Sequence, residues 1–140
     1  MMDANAISDT RLPTILLIDD EQDLLSAWAL LLELEGFHVV TAGEARLGVE
    51  LAHRLHPALV ITDLMMPEMD GAQVCLALRA DPSLDDVPLI LWSASPDIPS
   101  DVRCECTLHK PVTRETLLSN VQGLLNAPCN GTPRPSARRR

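Results

Sequence analysis

The chain has no tyrosine, one phenylalanine (Phe37) and two tryptophans (Trp28 and Trp92) among 140 residues. So few rings exclude a surface that stacks the bases of single-stranded nucleic acid. Lysine is scarce as well, since Lys110 stands alone against ten arginines. Apolar runs such as Ile15 to Ile18 fall far short of the ~20 residues a membrane-spanning helix needs. No basic, apolar and small-residue leader opens the sequence, so a soluble cytoplasmic chain without a membrane span is expected. The four cysteines, Cys75, Cys104, Cys106 and Cys129, form no CxxC pair. They read as reduced thiols, not as a metal knuckle.

What is present is a core. Apolar residues make up 46% of the chain, and the length suits one domain. Charge is uneven. Residues 127–140 hold four arginines and no acid, so residues 1–126 carry a net −13 against −9 for the whole. An acidic body repels phosphate backbones, so DNA binding by the folded part is not expected.

Punctuation and periodicity divide the chain into a frayed lead-in (1–13), a folded domain (14–126) and a disordered basic tail rich in proline and arginine (127–140). Thr14 to Ile18 is an apolar run ending at Asp19-Asp20, as expected of a strand covered on both faces. Leu24, Leu25, Trp28, Leu31 and Leu32 follow at helical spacing, with Gly36 at the C′ position. Phe37 to Thr41 reads as a second strand and Glu44 to Leu55 as a helix stopped by Pro57. Leu59 to Thr62 is a third strand ending at Asp63. Val74, Cys75 and Leu78 mark a helix closed by Asp81-Pro82. Leu89 to Trp92 is a fourth strand ending at Ser93, and Cys104 to Leu108 a fifth, ending at His109-Lys110. Thr113 can cap a last helix that turns Leu117, Leu118, Val121, Leu124 and Leu125 inward. The fold class is therefore α/β: a single doubly wound, five-stranded parallel sheet.

In such sheets chemistry gathers at the carboxyl ends of the strands. The strand ends here carry Asp19, Asp20, Asp63, Ser93 and Lys110. Clustered carboxylates repel one another, and a hard divalent cation such as Mg²⁺ relieves the conflict with oxygen ligands. A hydroxyl and an ammonium suit the oxygens of a phosphoryl group. The set reads as a phosphoryl-transfer site with a carboxylate acceptor. Singly, each residue also has a structural explanation, since aspartates cap helices and turns.

Asp19-Asp20-Glu21, the stretch Asp63-Leu64-Met65-Met66-Pro67-Glu68-Met69-Asp70-Gly71, then Ser93-Ala94 and Lys110-Pro111 resemble the receiver domain of bacterial two-component response regulators. The resemblance covers residues 14 to 126. It implies a flavodoxin-like sheet of order 2-1-3-4-5 and a phosphorylation-dependent switch, with no enzymatic role beyond self-phosphorylation and self-dephosphorylation. By it, Asp63 accepts phosphoryl from a sensor histidine kinase or phosphotransfer protein. Asp19, Asp20, Asp63 and the backbone carbonyl of Met65 hold Mg²⁺. Ser93 bonds a phosphoryl oxygen, Lys110 pairs with the phosphorylated site, and Lys110-Pro111 is a cis bond. Signalling is expected through an unknown downstream protein or a phosphorelay, as in stand-alone regulators.

Two departures stand out. Where the family usually has Tyr or Phe, three residues before the lysine, this chain has Thr107. Sixteen residues separate Ser93 and Lys110; a strand takes roughly five. With Pro96 and Pro99 in that interval, the fourth helix is expected to be shortened or missing. These departures keep a second reading open, a degenerate receiver-like interaction module that no longer signals through phosphate. A dehalogenase-type hydrolase would want D-x-D after the first strand, and a flavin carrier a glycine-rich phosphate loop. Met65 and Ser95 flank the expected path of attacking water, and a thioether cannot orient water, so slow self-dephosphorylation is expected. Met65, Met66 and Met69 otherwise read as packing. Cys104 and Cys106 read as two thiols on one strand face, and His53 and His56 as an exposed helix end.

Overall fold

The computed structural model describes residues 12–95 and 102–126. Five strands appear: β1 (Thr14–Ile18), β2 (His38–Ala42), β3 (Leu59–Asp63), β4 (Leu89–Ser93) and β5 (Cys106–His109). Among the described residues four helices accompany them: α1 (Gln22–Leu34), α2 (Ala45–Leu55), α3 (Gly71–Arg79) and α4 (Arg114–Asn126). A 3-10 turn, Pro82–Leu84, follows α3. Every neighbouring pair is parallel and the order is β2-β1-β3-β4-β5. This is the expected sheet.

Strands β3 and β4 are buried at every residue, and β1 at every residue but Thr14. Alternate side chains enter opposite layers. Leu16, Ile18, Val60 and Leu89 pack under α2 and α3 with Ala52, Val74 and Leu78. Ile15, Leu17, Ile61, Ile90 and Trp92 pack under α1 and α4 with Leu25, Leu32, Leu117 and Val121. Each fully buried aliphatic side chain contributes ~1.5–3 kcal/mol, so these layers fix which strand ends lie together.

The helix ends follow from local chemistry. After α1, Gly36 adopts φ +99°. There the Phe37 N–H bonds the Leu32 carbonyl and the Gly36 N–H that of Glu33, as a Schellman motif requires. Asp70 caps α3: its side chain accepts the Gln73 N–H while Gln73 Oε1 accepts the Asp70 N–H, each at 2.9 Å. Thr113 Oγ1 accepts the Thr116 N–H at 3.1 Å, the cap expected for α4.

Three expectations need correction. The fifth strand starts at Cys106, not Cys104, because the Cys104 N–H turns back to the Val102 carbonyl (3.1 Å). The two thiols therefore separate, Cys104 packing on the α2–α3 layer and Cys106 on the α1–α4 layer. Burial pushes the Cys75 thiol up to about 12 and that of Cys104 up to about 11, so neither is a thiolate at neutral pH. Second, the histidines do more than fray at a helix end. His53 Nδ1 lies 2.7 Å from Asp81 Oδ2, and His56 Nε2 lies 3.1 Å from Ser83 Oγ. They tie the end of α2 to the 3-10 turn. Third, only Met66 and Met69 pack against the core; Met65 is 60% exposed.

No helix stands between β4 and β5 among the described residues; Pro96 and Pro99 lie outside them, as do residues 1–11 and 127–140. Residues 103 and 105 are held by one arginine. Arg79 donates to the carbonyls of Arg103 (3.2 Å), Asp85 and Val87 (2.8 Å each) and to Glu105 Oε1 (2.8 Å). The same Glu105 oxygen accepts the Leu89 N–H at 2.8 Å. The pair is nearly buried, with side chains 6% and 14% exposed. It clamps the end of α3 to the starts of β4 and β5.

Candidate functional site

Asp19 directly follows β1, where its N–H donates to the Ala42 carbonyl of β2 (3.1 Å). Asp63 closes β3 and stands in register with Trp92 of β4. The chain then reverses, with the Leu64 N–H on the Trp92 carbonyl (2.9 Å) and the Gly71 N–H on the Leu64 carbonyl (2.8 Å). Gly71 is required there: a Cβ would lie 2.4 Å from the Asp63 carbonyl oxygen and 2.7 Å from Leu91 Cδ1. Lys110 follows β5, and its N–H donates to the Ser93 carbonyl (2.8 Å). Backbone register, not side-chain chance, delivers these groups to one edge.

The side chains meet. Oxygens of Asp19, Asp20 and Asp63 all lie within 4.8 Å of one another. Asp19 is wholly buried, Asp63 is 7% exposed and Asp20 is exposed. The Lys110 ammonium lies 3.1 Å from Asp19 Oδ2 and 3.4 Å from Asp63 Oδ2. Beneath it lies the Trp92 ring, 5.3 Å from Nζ to centroid, with Trp28 tilted against that ring at 5.6 Å. Two carboxylates also hold local turns: Asp19 Oδ1 accepts the Glu21 N–H (2.9 Å) and Asp63 Oδ1 the Met65 N–H (3.4 Å). The structural and chemical roles coexist. Ser93 is wholly buried, and its Oγ accepts the Ser95 N–H at 2.9 Å.

Burial raises the Asp63 carboxyl above its ordinary range, and the nearby Asp19 charge raises it further. The Lys110 charge, the Met65 N–H and the Lys110 hydrogen bond oppose this. Three carboxylates against one ammonium leave two negative charges in a small space. All the side-chain acceptors are hard oxygens, the donor set suited to a divalent cation such as Mg²⁺.

The family model described as the response regulator receiver domain matches residues 15–122. The chain belongs to that family. As a receiver it is a regulatory module of two-component signalling, not a conventional enzyme. The DNA-binding dual master transcriptional regulator RpaA of Synechocystis is 34% identical over 119 residues, 81% of this chain and 49% of that protein. The DNA-binding response regulator MtrA of Mycobacterium tuberculosis is 36% identical over 89 residues, 64% of this chain and 38% of that protein. A solved signal receiver domain of a histidine kinase from Syntrophus aciditrophicus aligns with TM-score 0.77 and 28% identity. It covers 86% of this chain and 95% of that one. The receiver thus spans about half the length, or less, of these curated relatives. No helix among the described residues is long and apolar enough to cross a membrane.

Of the residues expected at the site, Asp19, Asp20, Asp63 and Lys110 come together; Ser93 ends the neighbouring strand with its hydroxyl on the Ser95 N–H, Met65 meets Asp63 through its N–H, and Lys110-Pro111 is cis. Sequence reasoning missed two supports. Trp92, the last apolar residue of the fourth strand, lies under the lysine, a placement that no local sequence signal carries. Gly71, which closes the Asp63–Gly71 stretch, leaves the room that α3 needs against Asp63.

Proposed function

We propose that this receiver takes a phosphoryl group from a histidine kinase or phosphotransfer protein onto Asp63, in the cytoplasm. The Lys110 ammonium shared between Asp19 and Asp63 carries this reading. A purely structural ion pair needs one carboxylate; here two share one ammonium and a third stands beside them, an excess of negative charge that a divalent metal neutralises. Asp19, Asp20, Asp63 and the Met65 carbonyl oxygen would hold Mg²⁺. When bound, Mg²⁺ neutralises the carboxylates and draws charge from the phosphoryl oxygens.

An Asp63 carboxylate oxygen attacks phosphorus as the phosphorus–nitrogen bond of the donor breaks, and the electron pair leaves on the imidazole nitrogen. Lys110 holds Asp63 ionised against the burial that raises its pKa, and then faces the new charge. Ser93 offers its hydroxyl hydrogen to a phosphoryl oxygen while its Oγ still accepts from Ser95. The exposed Met65 thioether orients no water, so the acyl phosphate is long-lived. Output runs through protein contact or a phosphorelay. DNA binding, stated in the names of RpaA and MtrA, is not proposed for residues 14–126, since residues 1–126 carry a net −13.

Incubation with acetyl phosphate and Mg²⁺, followed by intact mass, tests the reading. One phosphoryl is expected on the wild-type chain and none on Asp63→Asn. No gain, or a gain that survives Asp63→Asn, overturns it. Thr107 favours the second reading, a receiver that only binds partners, and that reading predicts an unchanged mass.

A further inference from the structure

We infer that His109 is a positioning residue that supports the Ser93 hydroxyl once Asp63 carries phosphoryl. The inference rests on the function proposed above and names a residue that nothing in the motif requires.

The sheet register places it. Ser93 of β4 stands opposite His109 of β5, as Leu91 stands opposite Thr107. The next residues inward, Cys106 and Leu108, pack on the α1–α4 layer with Ile90 and Trp92. By alternation Thr107 and His109 share the opposite face with Leu91 and Ser93. Adjacent strands lie ~4.8 Å apart, so an imidazole on that face is within reach of its neighbour's hydroxyl. Thr107, one pleat away, is too short to do the same.

The two partners are differently held. Ser93 is wholly buried, while His109 is exposed. A phosphoryl group brings roughly two negative charges and three acceptor oxygens to Asp63. Lys110 is already shared by two carboxylates. The site gains when a further N–H is turned toward it. In either neutral tautomer an imidazole keeps one N–H to donate. His109 N–H donating to Ser93 Oγ, with Ser93 O–H donating to a phosphoryl oxygen, completes a chain of two hydrogen bonds. The chain already makes the first kind of contact elsewhere, where His56 Nε2 meets Ser83 Oγ at 3.1 Å. Adjoining hydrogen bonds polarise and strengthen each other. The consequence is that a surface side chain on β5 changes exposure with the state of a buried aspartate.

The test uses the full chain and carbethoxylation by diethyl pyrocarbonate, scored by peptide mass, with exposed His38 as internal reference. Intact mass on the same sample reports phosphorylation by acetyl phosphate and Mg²⁺. His109 modification is expected to slow several-fold on phosphorylation while His38 does not. Full phosphorylation with an unchanged His109 rate overturns the inference and leaves the proposed function standing. Absence of any phosphoryl gain sinks both. A second measurement separates positioning from mere packing. The phosphorylated fraction at limiting acetyl phosphate should fall about fivefold in His109→Val, the effect of one net hydrogen bond. His109→Gln, which keeps an N–H donor, should restore it. Equal fractions in Val and Gln variants refute the relay.

Discussion

Replacing Gly71 with alanine tests how tightly α3 is wedged against the acceptor. The added Cβ would meet the Asp63 carbonyl oxygen at 2.4 Å, Leu91 Cδ1 at 2.7 Å and Leu64 Cα at 2.9 Å. Leu91 can rotate, but two of the three contacts are backbone, so α3 or the Asp63–Leu64 peptide must move. Overpacking of this kind costs ~1–3 kcal/mol, against which the helix preference for alanine returns under 1 kcal/mol. A net loss of ~1–2 kcal/mol corresponds to about 4–8 °C in melting temperature for a domain of this size. Gly123, in α4, is the matched control, since a Cβ there meets nothing within 4 Å. Gly123→Ala should gain ~0.5–1 kcal/mol. Thermal unfolding by circular dichroism reads both variants, and Mg²⁺ titration followed by tryptophan fluorescence reads the site through Trp92. Gly71→Ala should melt lower and bind Mg²⁺ more weakly, because Asp63 moves with its peptide. A Gly71→Ala protein with wild-type melting and wild-type metal affinity refutes the reasoning.

Arg79→Met removes the cation paired with the nearly buried Glu105 and should cost about 3–5 kcal/mol; in urea unfolding, Arg79→Met/Glu105→Gln should recover part of it, since glutamine still accepts the Leu89 N–H. In chelator, Asp63→Asn should melt above wild type at neutral pH. The folded-state pKa of Asp63 is raised, so its contribution to stability is present below the unfolded pKa and lost as pH rises through the folded one. The advantage of Asp63→Asn should therefore shrink on acidification, and a pH-independent difference counts against the assignment. Met65→Asn, which places a water-orienting amide beside Asp63, should shorten the acyl-phosphate lifetime several-fold; an equal lifetime by intact mass removes the role given to Met65.

The strands and their polar ends were legible because both rest on strong local signals, whereas the sheet order followed only from the receiver resemblance. Three central strands are apolar on both faces, and each interrupts its run with a polar residue where the chain leaves the sheet. That interruption marks Asp19, Asp63 and Ser93. Less was legible where tertiary contacts decide. Cys104 and Cys106 have strand spacing, yet a turn at Val102 and the grip of Arg79 on residues 103 and 105 delay the strand. The His53–Asp81 and His56–Ser83 contacts link residues 28 and 27 apart, beyond any periodic signal. Met65 and Met66 are neighbours of one type; only the turn after Asp63 decides that one is exposed and the other packed.

The choice of cation shows how composition and geometry converge. In a chain with ten arginines, the group between Asp19 and Asp63 is the single lysine. A planar guanidinium would favour two parallel bonds to one carboxylate. An ammonium is a point charge with three donors, so it serves both carboxylates and can still turn to a third oxygen. Trp92 supports this arrangement from below through its ring face, an attraction that needs no fixed hydrogen-bond direction. Arg79 shows the opposite case, where the fork holds five acceptors in fixed directions and clamps a structural joint. The rigid cation stands where the fold must not move, and the adaptable one where charge arrives and leaves.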